Sequence, residues 1–155
     1  MMLLSVTGSV PLGYSFCSAY DKIGVDVAKG YGIKNGAVAS SVSHDSHNII
    51  VIGDNDADMA IAVNEIIRTQ GGYTVVENGK VYETLALPIM GLMSDVGFEN
   101  VNEALQRMIQ KAHQMGVAAQ IDPFVTLSSL CFSVFLMTHS LLVLFPYTTL
   151  FPYWQ

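Results

Sequence analysis

Residues 36–72 read GAVASSVSHDSHNIIVIGDNDADMAIAVNEIIRTQGG, and this run sets the fold class. Its opening, GAVASSVS, alternates small apolar and hydroxyl side chains with the period of a strand. Residues 48–53, NIIVIG, are rich in β-branched side chains and close on glycine, which predicts a short buried strand. Asp54-Asn55-Asp56 then opens a helix. Asn55 or Asp54 can accept hydrogen bonds from the free amides of the first turn, and Asp56 and Asp58 suit its positive end. Met59, Val63, Ile66 and Ile67 recur at helical spacing and predict its buried face. Gly71-Gly72 stops the helix, with one of the two in the left-handed cap.

Upstream of this run, Val25 and Val27 alternate with polar neighbours and predict a strand. The segments Lys29-Gly30-Tyr31-Gly32 and Lys34-Asn35-Gly36 that follow are rich in turn formers. Downstream, residues 73–77 and 80–87 flank Asn78-Gly79, the strongest two-residue hairpin signal, because both positions tolerate positive φ. A loop over 88–95 leads to a second helix. Asn100-x-x-Glu103 has the pattern of a capping box in its Asn variant. Val101, Leu105, Met108, Ile109 and Ala112 form the helix's apolar stripe, and Gly116 ends it. The order is β-β-β-α-β-β-α. It predicts an α+β fold, a largely antiparallel sheet with two helices on one face.

The chain has 155 residues and a net charge of −6. That length suits one domain and is too short for a complete (β/α)8 barrel, which takes roughly 250 residues. The acidic balance argues against a nucleic-acid partner, which would call for a basic stripe. Charged residues make up only 13%, against about 25% in an ordinary soluble domain. All of them lie between Asp21 and Asp122, so the low average comes from the two uncharged ends. This divides the chain into a lead-in at 1–20, a domain at 21–127 and an apolar tail at 128–155.

The lead-in begins apolar but has no basic segment, so it matches a secretory signal poorly. Residues 124–145 are long and apolar enough to cross a bilayer. No Lys or Arg follows them, and Pro146 and Pro152 break any helix beyond. The closing run FPYTTLFPYWQ is low in complexity and reads as foreign to the domain. The tail is therefore expected to be irregular or an apolar helix, with a membrane anchor or a buried strand as the competing readings. Cys17 and Cys131 both lie in the uncharged ends, too far apart in sequence for a short-spaced metal site or a disulfide framework.

Chemistry-bearing side chains concentrate at His44, Asp45, Ser46 and His47, on the loop between two predicted strands. His44-x-x-His47 has metal-ligand character, and Asp45 could orient a neighbouring imidazole. A third ligand is missing from the motif, and it is neither HExxH nor HxH. The competing reading is a turn built by Asp45 and Ser46, with both histidines hydrogen-bonded at a domain contact. Gly30-x-Gly32 lacks the third glycine and following helix of a phosphate loop. Asp54 to Asp58 lacks the glycine and distal glutamate of a calcium loop, which leaves helix capping as its role. His113 falls late in a helix, where a cation suits the negative end. No nucleophile-and-base pair can be assigned.

Lys29-Gly30-Tyr31-Gly32, the run 36–72 and LPIMGLMSD at 87–95 together resemble the C-terminal domain of bacterial adenine deaminase, in the amidohydrolase superfamily. The resemblance covers about residues 24–127 and closes on Asp122-Pro123-Phe124-Val125-Thr126-Leu127. It implies a metal-dependent hydrolase of purine salvage and adenine catabolism that converts adenine and water to hypoxanthine and ammonia. It also implies a binuclear manganese, iron or zinc centre in a preceding barrel, with a cytoplasmic, homo-oligomeric full-length enzyme. The barrel and its ligands lie outside this chain, so no metal ligand or catalytic base is assignable here and this segment alone is expected to be inactive. His44, Asp45, Ser46 and His47 are the candidates for contacts to the substrate or to the groups that hold the metal ligands. The competing functions are a structural or oligomerisation module without catalytic role and a small membrane-anchored protein.

Overall fold

The computed structural model describes residues 14–17, 26–44 and 48–130. Strands β1 (Tyr14–Cys17) and β2 (Asp26–Lys29) form an antiparallel ribbon. Then come β3 (Gly36–Ser40), β4 (Ile50–Gly53), helix α1 (Asp56–Arg68), β5 (Gly72–Glu77) and β6 (Lys80–Ala86). Helices α2 (Phe98–Gln114) and α3 (Pro123–Leu130) complete the described chain. The four strands β3 to β6 make one sheet in the order β4-β3-β5-β6, antiparallel at every pairing. The expected α+β class and element order hold, with β1 added before them and α3 after.

The helices do not share one face. Period-two alternation sends Ala37 and Ala39 of β3, Val51 of β4 and Val76 of β5 to one side. There they meet Met59, Ala62, Val63 and Ile66 of α1. Val38, Ile50, Ile52, Val75 and Leu85 point to the other side, against Ala104, Met108 and Ala112 of α2 and Phe124 and Leu127 of α3. Both faces are covered because β3 and β4 are buried at every position, GAVAS and IVIG. A strand with one wet face would alternate apolar with polar residues instead. The predicted two helices on one face are thus corrected to a sheet between one helix and two.

Helix α1 starts as expected. Asn55 caps it, its Oδ1 accepting from the Asp58 amide at 2.8 Å while its Nδ2 donates to the Asp58 carboxylate. The left-handed residue at its end is Gln70, at φ 60°, before Gly71 and Gly72. Ile67, expected in the buried face, is 42% exposed. Helix α2 begins two residues before the expected capping box. Its N-cap is Gly97 with no side-chain cap, and Asn100 sits inside the first turn donating to the Val96 carbonyl. Asn78 and Gly79 turn the β5–β6 hairpin with φ of 50° and 78°.

Helix α3 takes up the first part of the apolar stretch at 124–145. Asp122 accepts from the amides of Phe124 and Val125, and Pro123 stands where its missing N–H costs nothing. No helix of the described residues is long and apolar enough to cross a membrane. Residues 131–155, and with them most of that stretch and the expected foreign tail, lie outside the described residues.

Candidate functional site

The antiparallel pairing sorts every connection to one of two ends of the sheet. At one end, residues 34–36, 53–55 and 78–79 meet, and this end is spent on structure. The Asp54 carboxylate accepts from the amides of Asn35 (2.6 Å) and Gly36 (2.9 Å). The buried Asp58 carboxylate accepts from Asn55 Nδ2 and from the Gly79 amide at 2.6 Å. The acidic cluster Asp54 to Asp58 therefore closes turns and caps α1, as its spacing suggested. His113 sits near this end with Nδ1 3.2 Å from the Val117 carbonyl, an intrachain contact.

The opposite end carries the loop between β3 and β4, the α1–β5 connection and the loop after β6. Ser41 joins all three. Its buried hydroxyl accepts from the Gly72 amide at 2.8 Å and donates to the Gly91 carbonyl at 2.6 Å. Gly71 packs so closely on Gly91 that a Cβ on Gly71 would lie 2.4 Å from the Gly91 Cα. Sequence reasoning missed Ser41. Its only trace was its place among the hydroxyls of the alternating run GAVASSVS, just ahead of the histidine block.

Residues 42–44 run on from this anchor. Ser43 is buried, and the His44 amide donates to the Ser128 carbonyl near the end of α3 at 3.3 Å. The α3 backbone therefore holds the entry to the loop. His44 is exposed to solvent and has an interaction partner within the structure. Asp45, Ser46 and His47, the other predicted site residues, lie outside the described residues. Among the described residues no three His, Cys, Asp or Glu side chains gather as a metal site. The described part of the chain thus supplies no ligand set for a binuclear centre.

The loop after β6 is the other feature of this end. Ile89 and Met93 form a bridge around Met90 and Gly91, both at positive φ. Ile89, Met90, Met93, Val96 and Phe98 are exposed there. The end therefore presents an imidazole beside backbone held in place, and an apolar loop pinned at its base.

The family described as adenine deaminase C-terminal domain matches residues 17–138. The adenine deaminase of Desulfitobacterium hafniense (strain Y51) is 50% identical over 105 residues, 68% of this chain and 18% of that one. That of Nitratidesulfovibrio vulgaris (strain DP4) is 48% identical over 117 residues, 75% and 20% of the two chains. That of Bacillus subtilis (strain 168) is 45% identical over 111 residues, covering 72% and 19%. The chain spans about a fifth of the length of these curated relatives. With the match covering most of the chain, and the run that set the fold class inside it, this chain belongs to the adenine deaminase C-terminal domain family.

Proposed function

We propose that this chain acts as the C-terminal domain of an adenine deaminase, the enzyme that hydrolyses adenine to hypoxanthine and ammonia. The observation that carries the reading is the 45–50% identity to named adenine deaminases over most of the chain. In this reading the preceding part of the enzyme holds the binuclear metal centre, be it manganese, iron or zinc, whose role is to activate water. The full enzyme is cytoplasmic and a homo-oligomer. This domain contributes the rim. His44, Asp45, Ser46 and His47, on the connection between β3 and β4, are the candidates for this contribution, because imidazole and carboxylate groups can hydrogen-bond a purine edge or orient the groups around a site. The position supports this, because the loop springs from the end of the sheet not spent on closing turns, and sites favour loops held on rigid elements.

The test is a graft. Residues 17–138 replace the equivalent segment of the Desulfitobacterium hafniense enzyme, and hypoxanthine formation is followed. The graft should turn over adenine. His44→Ala and His47→Ala in it should each lower kcat/KM about 10–100-fold, the range for groups that orient a site, with the melting temperature nearly unchanged. A purely structural loop predicts the reverse: a lower melting temperature and unchanged kcat/KM per folded molecule. An inactive but folded graft would overturn the proposal itself.

A further inference from the structure

We infer that the apolar tip formed by Ile89, Met90, Met93, Val96 and Phe98 is the surface on which this domain seats against the larger, preceding part of an adenine deaminase chain. The inference rests on the reading above. Five of the nine exposed large apolar side chains among the described residues fall within this ten-residue stretch. Met90 is 85% exposed and Phe98 78%. Residues 85–94, LALPIMGLMS, carry no charge at all. Scattered exposed apolar residues need no explanation, but a concentrated patch marks an interaction site.

The tip is also preorganised. The Ile89–Met93 bridge closes it through hydrogen bonds of 3.1 Å from the Met93 amide to the Ile89 carbonyl and from the Ile89 amide back to Met93. Met90 holds φ 58°, a conformation that costs a non-glycine residue free energy and persists only where its surroundings enforce it. Those surroundings are at the base, where Ser41 holds the Gly91 carbonyl and Gly71 abuts Gly91. A rigid base under an exposed apolar tip loses little entropy on docking, which is what an anchor in an interface requires.

The occupant follows from length. The matched family is a C-terminal domain, and the relatives devote about four fifths of their length to sequence this domain does not match. In those relatives that remainder is joined to the matched domain in one chain, which makes it the protein surface available to the tip at fixed stoichiometry. Because the tip rises from the same end of the sheet as the histidine loop, seating it there also brings that loop toward the preceding part.

Thiol labelling tests this. In a background with Cys17→Ser and Cys131→Ser, Met90→Cys and Phe98→Cys are made separately. Each is made in the chain alone and in the graft on the Desulfitobacterium hafniense enzyme, with Val125→Cys on α3 as an exposed reference. Both tip cysteines should label at the rate of the reference in the chain alone and at least tenfold slower in the graft. Labelling at the free rate in the graft overturns the inference. So does protection in the chain alone that grows with its concentration, which would assign the tip to a second copy. Should the graft fail to fold, the preceding part of the same relative is added to the labelled chain in trans, with the same two outcomes. An active graft with unprotected cysteines removes the inference and leaves the functional reading standing. An inactive graft with protected cysteines does the opposite.

Discussion

Ser41 carries more of this structure than its size suggests. One hydroxyl accepts from the Gly72 amide and donates to the Gly91 carbonyl, so it ties the start of β5 to the loop after β6. Ser41→Ala removes the side-chain partner of both backbone groups, the buried Gly72 amide and the part-buried Gly91 carbonyl. It should cost about 1–3 kcal/mol, read as a lower urea midpoint with an unchanged slope. Glu65 gives a second measurement at this scale. The bidentate Arg68 guanidinium holds its carboxyl below the usual glutamate range; burial opposes the shift, and the Thr84 hydroxyl adds to it. A carboxyl with a lowered folded pKa contributes stability above its unfolded pKa and loses it as pH falls through the folded value. The stability of the chain should therefore fall below about pH 4.3, the ordinary glutamate value. In Glu65→Gln the part of that loss due to this group should vanish; an identical pH profile would refute the assignment. Neither role was legible beforehand. Ser41 acts through a partner fifty residues away, and a hydroxyl carries no periodic signal that would single it out.

Among the elements, most local signals hold, while the Asn100 capping box and the burial of Ile67 do not. The Asn-Gly hairpin, the Asn55 cap and the α1 and α2 stripes each depend on residues within one or two turns of each other. The placement of the helices was not local, and there the reading failed, although the signal was present. GAVAS and IVIG are apolar or small throughout, which requires cover on both faces. The small side chains of Ala37 and Ala39 then decide which face takes α1, because they let Met59, Val63 and Ile66 approach the sheet. Ala39→Leu should overpack that face and cost about 1–3 kcal/mol, which tests the two-sided packing directly. Ile67→Gln, at a position the helical spacing had put in the core, should stay within about 0.5 kcal/mol. Chemical denaturation of both variants checks the pair, and the opposite ranking would restore the one-sided arrangement.

Over the whole molecule, the sheet separates labour between its ends. At one, the Asp54 and Asp58 carboxylates accept from backbone amides and the Asn55 side chain, so their oxygens are engaged in closing turns and capping α1. At the other, the histidine loop and the apolar tip share the anchor at Ser41, so the same topology puts the proposed site and the proposed docking surface side by side. The candidate site was legible as a cluster of residue types, yet half of a site is a surface. A surface made by residues 41–44, 87–98 and the end of α3 cannot be assembled from sequence spacing, because it depends on which ends of which strands coincide. The same division predicts what the chain does by itself. Its described residues gather no set of three metal-ligating side chains, and its relatives are about five times its matched length. The purified chain, supplied with Mn²⁺ and adenine, should therefore form no hypoxanthine, while the graft carrying the same residues should. Both are measured in one assay at equal molar concentration. Turnover by the chain alone at about 1 per second or faster, an ordinary enzymatic rate, would show that the catalytic apparatus is carried within these 155 residues after all.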